Sequence, residues 1–206
     1  MRKFQKIFLS LISLSLIACS TEKDLVRTEK KVEVKSRLSE NYKQALYKTN
    51  IFFYKKQYSG LLLFIYEPEK EEHSVVLLSE LGLNILELKY QSGEFKMVKH
   101  KSFFNKNAAI ETLKSDIELL IEQIPIKKQT CYLAMDSSLI VKRKDEKKEL
   151  FYINMENEVF KIRKKQNMFM SVNMDLNDYN TNIPKEIIIQ HKGIKLKLEL
   201  RLIKQN

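Results

Sequence analysis

Between Tyr58 and Tyr90 the chain carries three β-type runs in close succession: Leu61–Tyr66, Val75–Leu78 and Leu83–Leu88. The charged stretch Glu69–Glu72 separates the first two, and Leu81-Gly82 separates the second from the third. Runs joined by such short turns pair with their immediate neighbours, which commits this part of the chain to an antiparallel sheet. The Leu81-Gly82 corner is chemically unusual, because polar residues ordinarily fill a tight connection. Two placements are open to Leu81. It either tucks back beneath the sheet as core, or projects as an apolar tip of the kind that meets lipid or a partner.

The rest of the chain extends the pattern. Ile51–Tyr54 leads into the first strand, and Phe95–Val98 alternates after the turn Gln91-Ser92-Gly93. A short helix is expected where Leu38, Tyr42, Ala45 and Leu46 fall at helical spacing. The one long helix is expected over Asn107–Ile124, with Ile110, Leu113, Ile117, Leu120, Ile121 and Ile124 as its stripe and Pro125 as its stop. Its other face, Glu111, Lys114, Asp116, Glu118 and Glu122, reads as solvated. Strands resume at Tyr132–Met135, Leu139–Val141, Leu150–Met155 and Val159–Ile162. Lys142–Glu149 reads as a solvated hairpin tip and Asn177–Asn182 as a polar loop. Met168, Met170, Val172, Met174 and Leu176 recur at every second position. Pro184 then opens a strand through Ile189, turned at His191-Lys192-Gly193. The chain finishes with Ile194, Leu196, Leu198, Leu200 and Leu202 opposite Lys195, Lys197, Glu199 and Arg201, one face core and the other water.

The sum is a mainly β (α+β) chain of about nine to eleven antiparallel strands with one long helix inserted midway. Such a sheet must curl or close to protect its edges. If it curls around the helix without filling the concavity, it leaves an apolar cavity of the kind that takes acyl chains. The candidate lining is Leu63, Ile65, Leu113, Ile117, Leu120, Met168, Met170 and Met174. Met–x–Met spacing also suits copper, but strand alternation explains it without a metal, and methionine is a pliant lining for a lipid pocket.

The first residues read as an address. Arg2, Lys3 and Lys6 precede the uncharged apolar run Ile7–Ile17, too short for a permanent span and of secretory length. The run closes in Leu16-Ile17-Ala18-Cys19, which resembles the lipobox of bacterial lipoproteins. That resemblance implies a signal peptide over 1–18 and a diacylated Cys19 as the mature N-terminus, anchored in membrane lipid. Ser20 follows in place of Asp, which by similarity favours the outer membrane. Residues 19–39 are expected to form the lipidated N-terminus and a flexible tether, and 40–206 the folded domain. Cys131 is then a single thiol, expected as a small buried apolar residue and not as a nucleophile or a disulfide partner.

Removing Arg2, Lys3 and Lys6 lowers the formal charge from +11 to +8, and the remaining lysines are interleaved with glutamates along the chain. That is a dispersed surface charge. It suits moderate attraction to anionic headgroups and lacks the clustered footprint of nucleic-acid binding. His73, His100 and His191 are isolated from one another and from metal-ligand spacing. No nucleophile elbow, phosphate loop or dinucleotide fingerprint is present, and four glycines leave little room for one. The expectation is a protein without catalytic residues, metal or cofactor.

The order of these features resembles a known family. The lipobox is followed by Ser59-Gly60 opening a strand, and then by Val75-Val76-Leu77-Leu78-Ser79-Glu80-Leu81-Gly82. A helix, Ile183-Pro184-Lys185-Glu186-Ile187 and an alternating last strand complete it. From Ser59 onward this is similar to LolB, the outer-membrane receptor that accepts lipoproteins from a periplasmic carrier, and to the LolB-like lipoproteins of Bacteroidetes. The resemblance implies a half-open β-barrel with a helical lid over an acyl-binding cavity. It also implies a monomer at the outer membrane facing the periplasm, with a lipoprotein carrier and its cargo as partners. In the family this segment ends Pro-Leu-Gly, and its leucine helps place lipoproteins in the membrane. By position that leucine is Leu81, followed by Gly82, with Glu80 where the family has Pro. The alternative function is a non-catalytic envelope scaffold of the same fold with a filled core.

Overall fold

The computed structural model describes residues 25–34, 37–38, 43–100, 107–121, 128–143, 148–153, 158–165, 167, 169–180 and 183–206. Cys19, the expected signal peptide and Met168 lie outside the described residues. Thirteen strands form one sheet among the described residues. In chain order they are β1 (Val26–Thr28), β2 (Gln44–Phe53), β3 (Lys56–Glu67), β4 (Glu72–Ser79), β5 (Asn84–Gln91) and β6 (Glu94–His100). Helix α1 (Asn107–Ile121) follows. Then come β7 (Gln129–Leu133), β8 (Leu139–Arg143), β9 (Lys148–Ile153), β10 (Val159–Lys165), β11 (Ser171–Asn180), β12 (Ile183–Lys192) and β13 (Leu196–Gln205).

Every pairing is antiparallel, in the order β1-β7-β8-β9-β10-β11-β12-β13-β2-β3-β4-β5-β6. The sheet is open, with β1 and β6 as its edges. Its inner face follows from period-2 alternation. Met174 lies opposite Ile189, Ile189 opposite Leu198 and Leu198 opposite Ile51; the first three are buried and Ile51 packs against them. Register shifts interrupt β9–β10, β13–β2, β4–β5 and β5–β6, and such irregularities add twist and let a long sheet coil. Gly60 permits the tightest approach. A Cβ there would lie 2.4 Å from the Leu78 carbonyl oxygen, so no other residue fits without the backbone shifting.

Three local expectations are corrected. The helix expected over Leu38–Leu46 is not formed where its last residues are seen, because Ala45 and Leu46 belong to β2. Their period-2 neighbours Ala45, Tyr47 and Thr49 are the buried set. The tether expected over 19–39 also yields residues to the domain: β1 pairs with β7, and Val34 and Leu38 are core. The loop expected over Asn177–Asn182 is, through Asn180, the end of β11. There the Tyr179 hydroxyl donates to the Val159 carbonyl.

Candidate functional site

The β4–β5 corner settles the two placements of Leu81. Its side chain is 87% exposed, and Leu83 beside it is 54% exposed. The corner is built, not loose. The Gly82 N–H donates to the Ser79 carbonyl at 2.9 Å, and the Leu83 N–H donates to Ser79 Oγ at 3.1 Å. The Ser79 N–H donates to the Leu83 carbonyl at 2.9 Å, and Ser59 Oγ donates to Glu80 Oε1 at 2.6 Å. Gly82 takes φ +77° with open space where a side chain would begin, the left-handed conformation glycine adopts without strain. A fixed turn therefore holds a leucine in solvent, where it contributes nothing to the core.

Inside, a polar row crosses the sheet at the same end. Arg143 of β8, Glu149 of β9, Lys164 of β10 and His191 of β12 all point inward, with Val172 of β11 between the last two. Arg143 Nε lies 3.1 Å from Glu149 Oε2, and Lys164 Nζ lies 3.1 Å from Glu149 Oε1. Helix α1 covers the row. Lys164 Nζ donates to Ser115 Oγ at 3.1 Å, and His191 Nε2 meets Asp116 Oδ2 at 2.8 Å. Burial pushes the Asp116 carboxyl up from its ordinary range, opposed by the His191 contact and the nearby Lys164 ammonium. A Ser–Lys contact also occurs in nucleophilic sites. Here Glu149 pairs with Lys164, and the ammonium acts as a donor that positions the helix.

These residues overturn three sequence expectations. Asp116, assigned to the solvated face of the helix, is 1% exposed. Glu149, assigned to a hairpin tip, is buried on β9. His191, assigned to a turn, is buried near the end of β12. His73, also assigned to a turn, is buried within β4. Its ring stacks 4.6 Å from Tyr66 and lies 6.4 Å from Tyr90, which in turn lies 4.7 Å from Phe95. Desolvation lowers the His73 imidazole to about 4. Cys131 is buried on β7, and burial raises its thiol, as suits a packing residue.

The candidate cavity lining divides into three groups. Ile117, Leu120 and Met174 are wholly buried members of one continuous core, and Leu113 packs against it half-buried. Leu63 and Ile65 do not join them. They alternate with the buried Leu62 and Phe64, so they lie half-buried on the opposite face of β3. The continuous apolar run hid which parity faced inward. Met170 is half-buried at the β10–β11 turn, 3.1 Å from the Cβ position of Gly193. No local pattern marks the polar row, whose contacts join residues 75 and 49 positions apart.

No protein-family model matches the chain, and no curated protein matches it. Among solved structures, the chain is similar to a LolA superfamily protein from Nitrosomonas europaea. The identity is 8% and the TM-score 0.49, over 82% of this chain and 88% of that one, a likeness too distant to assign residues or activity.

Proposed function

We propose that this chain is an envelope lipoprotein that engages lipid, with acyl chains of membrane lipids or of other lipoproteins as its ligands and no catalytic step. The observation that carries the reading is Leu81, a large apolar side chain held in solvent by a hydrogen-bonded corner. The sequence adds the lipobox ending at Cys19, which would place the domain beside a bilayer of the outer membrane. In this role Leu81 and Leu83 enter the acyl region while α1 lies across the inner face of an open sheet. Acceptance of cargo lipoproteins from a periplasmic carrier, and their insertion, is the specific activity that the LolB resemblance adds.

The chain contains no tryptophan, so Leu81→Trp supplies a single reporter. In vesicles with brominated acyl chains its emission is expected to shift blue and be quenched. Emission unchanged from the vesicle-free protein would overturn the lipid-facing role of the corner. The alternative is the scaffold with a filled core. It is distinguished by an interior that never carries lipid.

A further inference from the structure

The topology sorts charge to the two ends of the sheet. Beyond the β8–β9 hairpin, whose residues 144–147 lie outside the described residues, four hairpin turns follow one another along the same end: β10–β11, β12–β13, β2–β3 and β4–β5, each separated from the next by two strands, about 10 Å. They are physically joined. The Tyr54 N–H donates to the Lys195 carbonyl at 3.0 Å, and the Gly193 turn abuts Met170 and the Phe169 carbonyl. Exposed on these turns are Lys55, Lys56, Lys165, Lys192 and Lys195, and among their described residues the acid is Glu80. The opposite end carries Glu67, Glu69, Glu71 and Glu72 around the β3–β4 turn, Glu94 at β5–β6, Asp136 at β7–β8 and Asp178 near the end of β11, with Lys43, Lys70, Lys185 and Lys204 also exposed there, so acids outnumber bases. Five exposed lysines from separate parts of the sequence are brought to one end by the hairpins.

The basic end also presents apolar tips. Phe169 is 80% exposed, and Tyr54, Leu81 and Leu83 are exposed with it. Phe169 is aimed by its turn: Asn167 Oδ1 accepts from the N–H groups of Phe169 at 2.9 Å and Met170 at 2.8 Å. The acidic end has exposed apolar residues too, Leu133 and Met135, but beside Asp136 and without a lysine cluster.

We propose that these four turns form a docking face for an anionic lipid bilayer. Lys55, Lys56, Lys165, Lys192 and Lys195 would sit at the headgroups, with Phe169, Tyr54 and Leu81 entering the interface. It builds on the lipid-facing role given above to Leu81 and extends it to four hairpins. The occupant follows from complementarity: lysine stems and aromatic tips interleaved at one level suit headgroups above acyl chains. The tether does not choose the orientation. Six residues from Cys19 to Leu25 reach at most about 21 Å, and five-residue β7 rises about 17 Å. Leu25 precedes Val26, which lies opposite Leu133 at the other end of β7, and the tether exceeds the rise of β7 back to the turn end.

The test places a single tryptophan at each end of the full lipidated chain, as Phe169→Trp and as Met135→Trp. Each is reconstituted in vesicles of phosphatidylethanolamine and phosphatidylglycerol with brominated acyl chains. Expected is quenching of Phe169→Trp but not Met135→Trp, weakened by salt, by replacing phosphatidylglycerol with phosphatidylcholine, and by Lys55→Glu with Lys195→Glu. Equal quenching at both ends, or none at Phe169→Trp, overturns the docking face. Quenching at Phe169→Trp that ignores headgroup charge and salt overturns its electrostatic basis. If Leu81→Trp is quenched while Phe169→Trp is silent, the corner keeps its role and the extended face falls. Binding of an acidic protein by lysines that lipid does not protect would assign the face to a different partner and likewise overturn it.

Discussion

His191 Nε2 lies 2.8 Å from Asp116 Oδ2, and through this contact the end of β12 holds the middle of α1. The pair sits beside Lys164, Ser115 and Glu149, so the helix is fixed over the sheet by polar contacts as well as by its apolar stripe. Asp116→Ala strands a buried imidazole and is expected to cost about 3 kcal/mol, from the usual penalty for breaking a buried pair. Asp116→Asn should cost less, because burial already favours the neutral carboxyl and the amide keeps an acceptor oxygen. Urea denaturation of both variants tests this. Equal losses would mean that the charge of Asp116, and not its hydrogen bond, holds the helix.

His73 gives the fold an acid limb. Its folded value of about 4 lies below its ordinary 6.5, so the unfolded chain takes up a proton before the folded chain does. The stability it contributes is present above about pH 6.5 and is lost as pH falls toward 4, about 3 kcal/mol over the full interval. His73→Phe keeps a flat ring between Tyr66 and Tyr90 and removes the titration. Stability measured from pH 7 to 4 should fall for the parent chain and stay flatter for the variant. Parallel curves would exclude His73 as the cause.

Gly60 sets how closely β3 approaches β4. A methyl group there meets the Leu78 carbonyl oxygen at 2.4 Å, and backbone cannot move aside as a side-chain tip can. Gly60→Ala is expected to destabilise by about 1–3 kcal/mol, the usual range for overpacking. Gly93→Ala is a control for left-handed strain, since its surroundings are open. A neutral Gly60→Ala in thermal denaturation would show that the strand pair relaxes freely.

Leu81→Glu separates a surface role from a core one. With the side chain in solvent, the charge should leave stability within about 0.5 kcal/mol. The same change should reduce quenching of the variants' reporters by brominated lipid, because a carboxylate resists entry into the acyl region. A loss of several kcal/mol in chemical denaturation would place Leu81 in the core after all.

Where periodicity and burial agree, the fold was legible. The alternation through Leu198 and Leu200 marked an inner face, and Ile110, Ile117, Leu120 and Ile121 marked one helix. The Leu81 corner was legible as an anomaly, though its orientation was not, since a lone leucine beside glycine has no period. The spacing of Leu38, Tyr42, Ala45 and Leu46 satisfies a helix, yet Ala45 with Tyr47 and Thr49 satisfies a strand equally, and pairing with β3 and β13 decides it. The polar row was hidden for a different reason. Glu149, Lys164, Asp116 and His191 each stand among polar neighbours that suggest solvent, and contacts made across the fold reverse the reading. The charged ends were invisible for the same cause: lysines far apart in sequence become neighbours when hairpins align.

On the proposed function, the domain takes lipid as its ligand. Native mass spectrometry of the chain beginning at Leu25, which lacks Cys19 and retains all thirteen strands, tests it most directly. Purified from cells without detergent, it is expected to carry a discrete added mass of phospholipid or fatty acid that gentle activation releases. A chain that is consistently empty, and stays so after incubation with phospholipid, would contradict the claim and leave the filled-core scaffold.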